Sequence, residues 1–345
     1  MATLTAGPQA GTGGNAPASD MPRRVRAGRG PADRLFRGVA RTSGLAVLAI
    51  TTMVGVFLAY RGWQALRVGG VSFLTTQRWQ PEAGHGRFGI AAVLPGSVLI
   101  GLVAIVFALP LAIGTALYIS EYAPPRLQRL LVSLVDLMAA VPSVVYGLWG
   151  FFYLQGHVYG LARWIATYFG WIPILRVAGA DPHDPLASST VYTASTFITG
   201  MVVALMVTPI ACSIMREAFS QAPLGEREGA YALGATKWGM IRTVVLPFGR
   251  GGIIGGTMLG LGRALGETIA VFMILSLVFV FQPHLLQAGG SSVSALIAGR
   301  YGEAGPFATS ALMAAGLALF VLTLVINFAA SAVIARSRSG AVSEV

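Results

Sequence analysis

Two residues of opposite charge, Arg263 and Glu267, sit four positions apart in an apolar, glycine-rich stretch that reads as one helix over 251–281. At that spacing they share a helix face. Counted from Gly251 at about 1.5 Å per residue, Arg263 lies roughly 18 Å along the helix, inside a hydrocarbon layer about 30 Å thick. A charge at that depth costs about 2.5 to 3.5 kcal/mol on insertion scales, so neither side chain is expected to face lipid. Two chemistries fit. The pair can neutralise itself and fix helix packing, or Arg263 can offer its planar donors to an oxyanion in transit while Glu267 keeps binding weak enough for release. Asp136, in another apolar stretch, is a third acid of this kind, nearer a membrane surface.

Other chemistry finds little support. The chain has no Gly-x-x-x-x-Gly-Lys-Ser/Thr loop, so any ATP hydrolysis must come from separate subunits. The four histidines, His85, His157, His183 and His284, fall in polar segments without zinc-ligand spacing. Cys212, the single cysteine, lies in an apolar run and reads as a small packing residue. Ser97 or Ser143 as an intramembrane nucleophile lacks a base, because no histidine falls within an apolar run. No cofactor or metal is expected on this chain.

The elements that must carry these residues follow from composition. With 345 residues, 55% hydrophobic and 11% charged, and a mean hydropathy of +0.70, the chain reads as a polytopic, all-helical membrane protein. Its net charge of +11 sits beside apolar segments and not among aromatics in a soluble domain, which argues against nucleic acid. Six spans are expected, over 44–60, 92–119, 130–152, 192–214, 251–281 and 307–334. Residues 1–43 read as a disordered basic tail, and 155–190 as an outside segment that does not span. Six spans place both termini on one side. Arginines in the tail, at 126 and 129, over 216–250 and at the C-terminus make that side the cytosol. Arg61, Arg67, Arg78 and Arg87 run against this bias on the outside. Gly251, Gly252, Gly255, Gly256, Gly260, Gly262 and Gly266 read as small residues for close helix contact.

Between the fourth and fifth spans, residues 223–247 are polar enough to leave the membrane. Pro223 suits the first turn of a short helix and Gly234 its left-handed end. Thr236 caps a second helix, which Pro247 is expected to close. Tyr231, Leu233, Trp238 and Met240 give this knob more apolar surface than a solvated loop needs, so it reads as a partner surface or as packing on the chain's own membrane domain.

These residues carry a resemblance. Glu228-Gly229-Ala230, three residues, Gly234, nine residues, then Val244-Val245-Leu246-Pro247 is similar to the EAA loop of ABC importer permeases, with Gly229 and Val244 in place of Ala and Ile. In that family the loop docks on the ATP-hydrolysing subunit. Two further stretches, 262–271 (Gly-Arg-Ala-Leu-Gly-Glu-Thr-Ile-Ala-Val) and 141–147 (Val-Pro-Ser-Val-Val-Tyr-Gly), resemble the PstC-type permeases of bacterial phosphate-specific ABC importers. The resemblance implies an all-α, six-span, MetI-like permease domain over 44–340 in the bacterial cytoplasmic membrane. It implies ATPase coupling through Glu228, Gly229, Ala230, Gly234, Leu246 and Pro247, and a substrate path at Arg263 and Glu267. The implied partners are a PstA-type permease, two ATP-binding subunits that use ATP and Mg, an extracytoplasmic phosphate-binding protein, and membrane lipid. Permeases for sulfate, molybdate or tungstate, whose anions are also tetrahedral, stay open as alternatives, as does an ATPase-independent anion transporter.

Overall fold

The computed structural model describes residues 31–82, 87–178, 181–184 and 188–338. His85 and the basic residues of 1–30 lie outside them. The remainder of the expected tail is helical: α1 (Pro31–Gly69) begins at Pro31 and carries Arg34, Arg37 and Arg41 on regular helix. Thr52 ends one compact unit and Met53 begins the other. The described part of the first unit is the N-terminal portion of α1, whose apolar side chains are exposed.

The second unit continues with α2 (Ser72–Thr75), α3 (Val93–Leu117), α4 (Pro125–Ala140), α5 (Ser143–Trp149), α6 (Gln155–Phe169) and α7 (Thr196–Ser220). Beyond these come α8 (Leu224–Ala232), α9 (Lys237–Met240), α10 (Leu246–Phe248), α11 (Arg250–Gly266), α12 (Ile269–Ile274), α13 (Val293–Arg300) and α14 (Pro306–Arg338). Four helical runs are each long and apolar enough to cross a membrane: Pro31–Gly69, Val93–Tyr122, Thr196–Ser220 and Pro306–Ala329. Two bent pairs, Pro125–Ala140 with Ser143–Phe169 and Lys237–Phe248 with Arg250–Gly266, bring the number to six if each counts as one span.

The core is built around α7. Val203, Ala204 and Val207 of α7 meet Ile100, Ala104 and Ala108 of α3 and Ala264 of α11. Ala104, Ala108, Ala112 and Ala116 recur every four residues on α3, almost fully buried, so the backbones approach closely. Lipid tails are as apolar as a leucine, so contact of this kind holds the bundle where the hydrophobic effect cannot.

The third apolar stretch breaks at Val141-Pro142-Ser143, where proline interrupts it: Pro125–Ala140 and Ser143–Phe169 are bent by 88° there. Proline removes a backbone donor there, and the Met138 carbonyl accepts the Val141 N–H at 3.4 Å and the Tyr146 hydroxyl at 3.0 Å. The helix continues through a wide turn at Gly150–Leu154 into α6, so the first half of the 155–190 segment is helical. Val158, Ala162, Ile165 and Ala166 pack into one cluster at helical spacing. One expectation is corrected: the fifth span, expected as one helix over 251–281, is not one helix. It ends at Gly266, resumes as α12, and gives way after Ile274 to extended chain bridged at Leu277–Gly290 and Ser195–Ala288.

Candidate functional site

Arg263 stands near the end of α11 with its side chain exposed. It lines an open groove of about 680 Å³ together with Met258, Leu259 and Gly262 of its own helix, Ile210 of α7, and Asn327 and Ser331 of α14. Among the described residues no carboxylate lies within ion-pair distance of it. A charge left unpaired on an apolar helix, in a groove with an amide opposite, is placed to meet an anion or a second chain. Asn327 went unrecognised in the sequence. Its Oδ1 sits 3.9 Å from where a side chain on Gly262 would begin. A lone amide within an apolar span was the available signal.

Glu267 is not on the same helix face. It follows the last residue of α11 with extended backbone (φ −66°, ψ 128°) and is 9% exposed. Its Oε1 accepts the Ala270 N–H at 3.5 Å, and its carbonyl accepts the Ser294 hydroxyl at 2.7 Å. The carboxylate thus serves the first turn of α12, where the helix dipole favours a negative charge. The break at Gly266 decides this, and the self-neutralising pair drawn from regular spacing does not form. Asp136 lies exposed on α4, outside the groove.

The stretches 141–147 and 262–271 meet in space. Gly147 of α5 faces Ala270 of α12 so closely that a β-carbon on it would stand 2.9 Å from the Ala270 Cα. Only glycine admits that approach.

The polar loop folds much as its residues predict. Helix α8 ends in a Schellman motif: the Ala235 N–H reaches the Ala230 carbonyl at 3.0 Å, and the Gly234 N–H reaches Tyr231 at 2.9 Å. Gly234 has φ +83°, the left-handed region. Thr236 accepts the Gly239 N–H at 3.1 Å and caps α9. Glu228, Gly229, Gly234 and Pro247 are exposed, while Ala230 and Leu246 pack against the core. Pro247 does not close the second helix. It sits in the first turn of α10 after a wide turn at Ile241–Val245, and the chain bends by 65° before α11. Met240 is buried in the core cluster, so the outward apolar surface is Tyr231, Leu233 and Trp238, joined by Leu224.

A clamp invisible to sequence spacing fixes this knob to the membrane helices. Arg227 of α8 pairs with Glu121, just past α3, at 3.0 Å and donates to the Ala222 and Phe219 carbonyls. Glu121 is almost fully buried, and Lys237 lies 4.7 Å over the neighbouring Tyr122 ring. Both helices of the knob, α8 and α9, are therefore tied to one short segment, Tyr118–Tyr122.

The profile described as "Binding-protein-dependent transport system inner membrane component" matches residues 108–339. The chain is 38% identical to "Phosphate transport system permease protein PstC 2" of Mycobacterium tuberculosis, over 87% of this chain and 91% of that one. It is 39% identical to the Mycobacterium leprae protein PstC, over 87% and 92%, and 38% identical to PstC of Mesorhizobium japonicum, over 85% and 87%. Among solved structures, a bacterial ABC transporter that imports the acidic polysaccharide alginate aligns with a TM-score of 0.50 at 17% identity, over 90% of this chain and 100% of that one; the likeness is one of fold. The chain belongs to the binding-protein-dependent inner-membrane components, permease subunits that are not themselves enzymes and work with ATPase and binding-protein partners, and within them to the PstC-type permeases.

Proposed function

We propose that this chain carries inorganic phosphate across the cytoplasmic membrane as one of two permeases in an ATP-driven importer. The second permease is of the PstA type, two ATP-binding subunits use ATP and Mg, and an extracytoplasmic binding protein delivers phosphate. The observation that carries this reading is identity of 38–39% to phosphate transport permeases over about nine-tenths of their length. The exposed, unpaired Arg263 supports it with a chemical role. Its guanidinium presents several N–H donors in one plane, which suits a tetrahedral oxyanion, and the groove it lines is open.

Glu267 contributes indirectly, as an anchor for α12 and as negative charge beyond Arg263 along the chain, which limits how tightly an anion is held. Transit requires weak binding. Residues 223–247 receive the ATPase: Glu228, Gly229, Ala230 and Gly234 form the docking helix and its end, while Leu246 and Pro247 join it to α11. A push on α8 travels through α9 and α10 to the helix that bears Arg263. The loop and both termini lie in the cytosol on this reading, following the arginine distribution. Labelled phosphate uptake in a strain lacking this chain, with sulfate and molybdate as controls, tests the substrate. Selective loss of phosphate uptake is expected, and unchanged uptake without a redundant system would refute it.

A further inference from the structure

Two of the arginines that run against the sidedness bias, Arg78 and Arg87, come together in the fold. Trp79 and Phe88 form an antiparallel bridge, flanked by Gly89 N–H to Arg78 carbonyl at 2.9 Å and Gln80 N–H to Arg87 carbonyl at 3.2 Å. Alternation along each strand turns Trp79 and Phe88 one way, into the apolar cluster where their rings touch, and Arg78 and Arg87 the other way. Diagonal neighbours of this kind stand about 7 to 8 Å apart, near enough for both guanidinium groups to grip one small anion.

Both arginines line a pocket of about 410 Å³ with Ser72, Thr76 and Gln77, and Phe88 lines it beside Val68 and Gly69. Neither has an acidic partner among the described residues. The acid nearest in sequence, Glu82, is engaged elsewhere, accepting the Gly305 N–H at 2.6 Å. Like charges held side by side without a counterion call for one.

The surroundings identify its source. The pocket adjoins the start of the 30-residue helical run Val93–Tyr122, whose other end adjoins the Arg227 clamp. It therefore lies at the opposite membrane surface from the knob. Directly beside it, Val68, Val71 and Leu74 are 67%, 80% and 55% exposed. A free anion would leave these side chains in water, whereas a lipid would cover them with its acyl chains while its phosphate meets the arginines. We propose that Arg78 and Arg87 form a phosphate-group site occupied by the headgroup of an anionic phospholipid. The proposal does not rest on the transport reading.

The test uses the assembled importer, purified in a neutral detergent. Native mass spectrometry counts bound short-chain phosphatidylglycerol as it is titrated, with inorganic phosphate as competitor. The Arg78→Gln and Arg87→Gln variants are each expected to weaken lipid binding by about tenfold or more, since each removes one charge-assisted contact, and the double variant by more than either. Where a glutamine variant fails to assemble, Arg78→Lys or Arg87→Lys is read instead; a severalfold loss is expected because the bidentate fork is gone. Competition by millimolar inorganic phosphate, with the same dependence on the arginines, would overturn the lipid assignment and leave a site for the free anion. Lipid binding equal to the unaltered importer in every variant would overturn the site altogether.

Discussion

Arg263 and Arg227 are both arginines near acids in sequence or space, yet they do opposite work. Arg227 is bound to the buried Glu121 and to two carbonyls, and so holds structure. Truncating such a pair strands a buried carboxylate, which costs about 3 to 5 kcal/mol in full burial and less here, where Arg227 keeps some solvent contact. Arg227→Met is expected to lower the unfolding temperature of the purified complex and weaken ATPase association. A melting curve that overlays the parent would remove the clamp from the account. Arg263, exposed and without an ion-pair partner among the described residues, has no such structural burden. Arg263→Gln should abolish phosphate uptake while assembly and ATP hydrolysis stay measurable, and normal uptake in that variant would exclude it from the pathway.

At the scale of elements, the knob owes its shape to local rules. Gly234 at φ +83° permits α8 to end and turn back in a single residue, and an L side chain there costs roughly 1 to 2 kcal/mol. Gly234→Val is expected to uncouple the importer: ATP hydrolysis continues, transport per ATP falls, and the ratio of the two rates measured in liposomes reads the effect. Leu233 is 91% exposed and Trp238 56%, surface that a partner would cover. Leu233→Asp should reduce co-purification of the ATPase severalfold, and undiminished recovery would point the apolar face elsewhere. The broken helices follow other rules. At Val141-Pro142 and at Gly266-Glu267 the backbone leaves the helix, and the freed polar groups are met by Tyr146 and by Ser294, partners drawn from 8 and 27 residues away.

For the whole molecule, sidedness is open to direct measurement. Cys212, the single cysteine, is buried, so introduced cysteines report without interference. In intact cells an impermeant maleimide is expected to label His183→Cys and to spare Leu233→Cys, with both labelled after lysis. The reverse pattern would invert the proposed topology. The groove that carries Arg263 is open, and on the proposed reading a second permease closes it.

Hydropathy and helical periodicity, which act over one or two turns, were enough to establish an all-helical membrane chain with up to six spans. Local capping chemistry was enough for the Schellman end at Gly234 and the Thr236 cap, because each depends on a few consecutive residues. Tertiary packing alone decided the rest. It stopped the fifth helix at Gly266, because Glu267 and Ser294 offered the chain another set of hydrogen bonds, and it thereby separated Glu267 from the Arg263 face. It brought Gly147 to Ala270, Arg227 to Glu121 and Arg78 beside Arg87. Contacts between residues far apart in the chain leave no period to read, and two of these three are such contacts. The third needed the pairing register of a short turn, which only the packed aromatic face of Trp79 and Phe88 made definite.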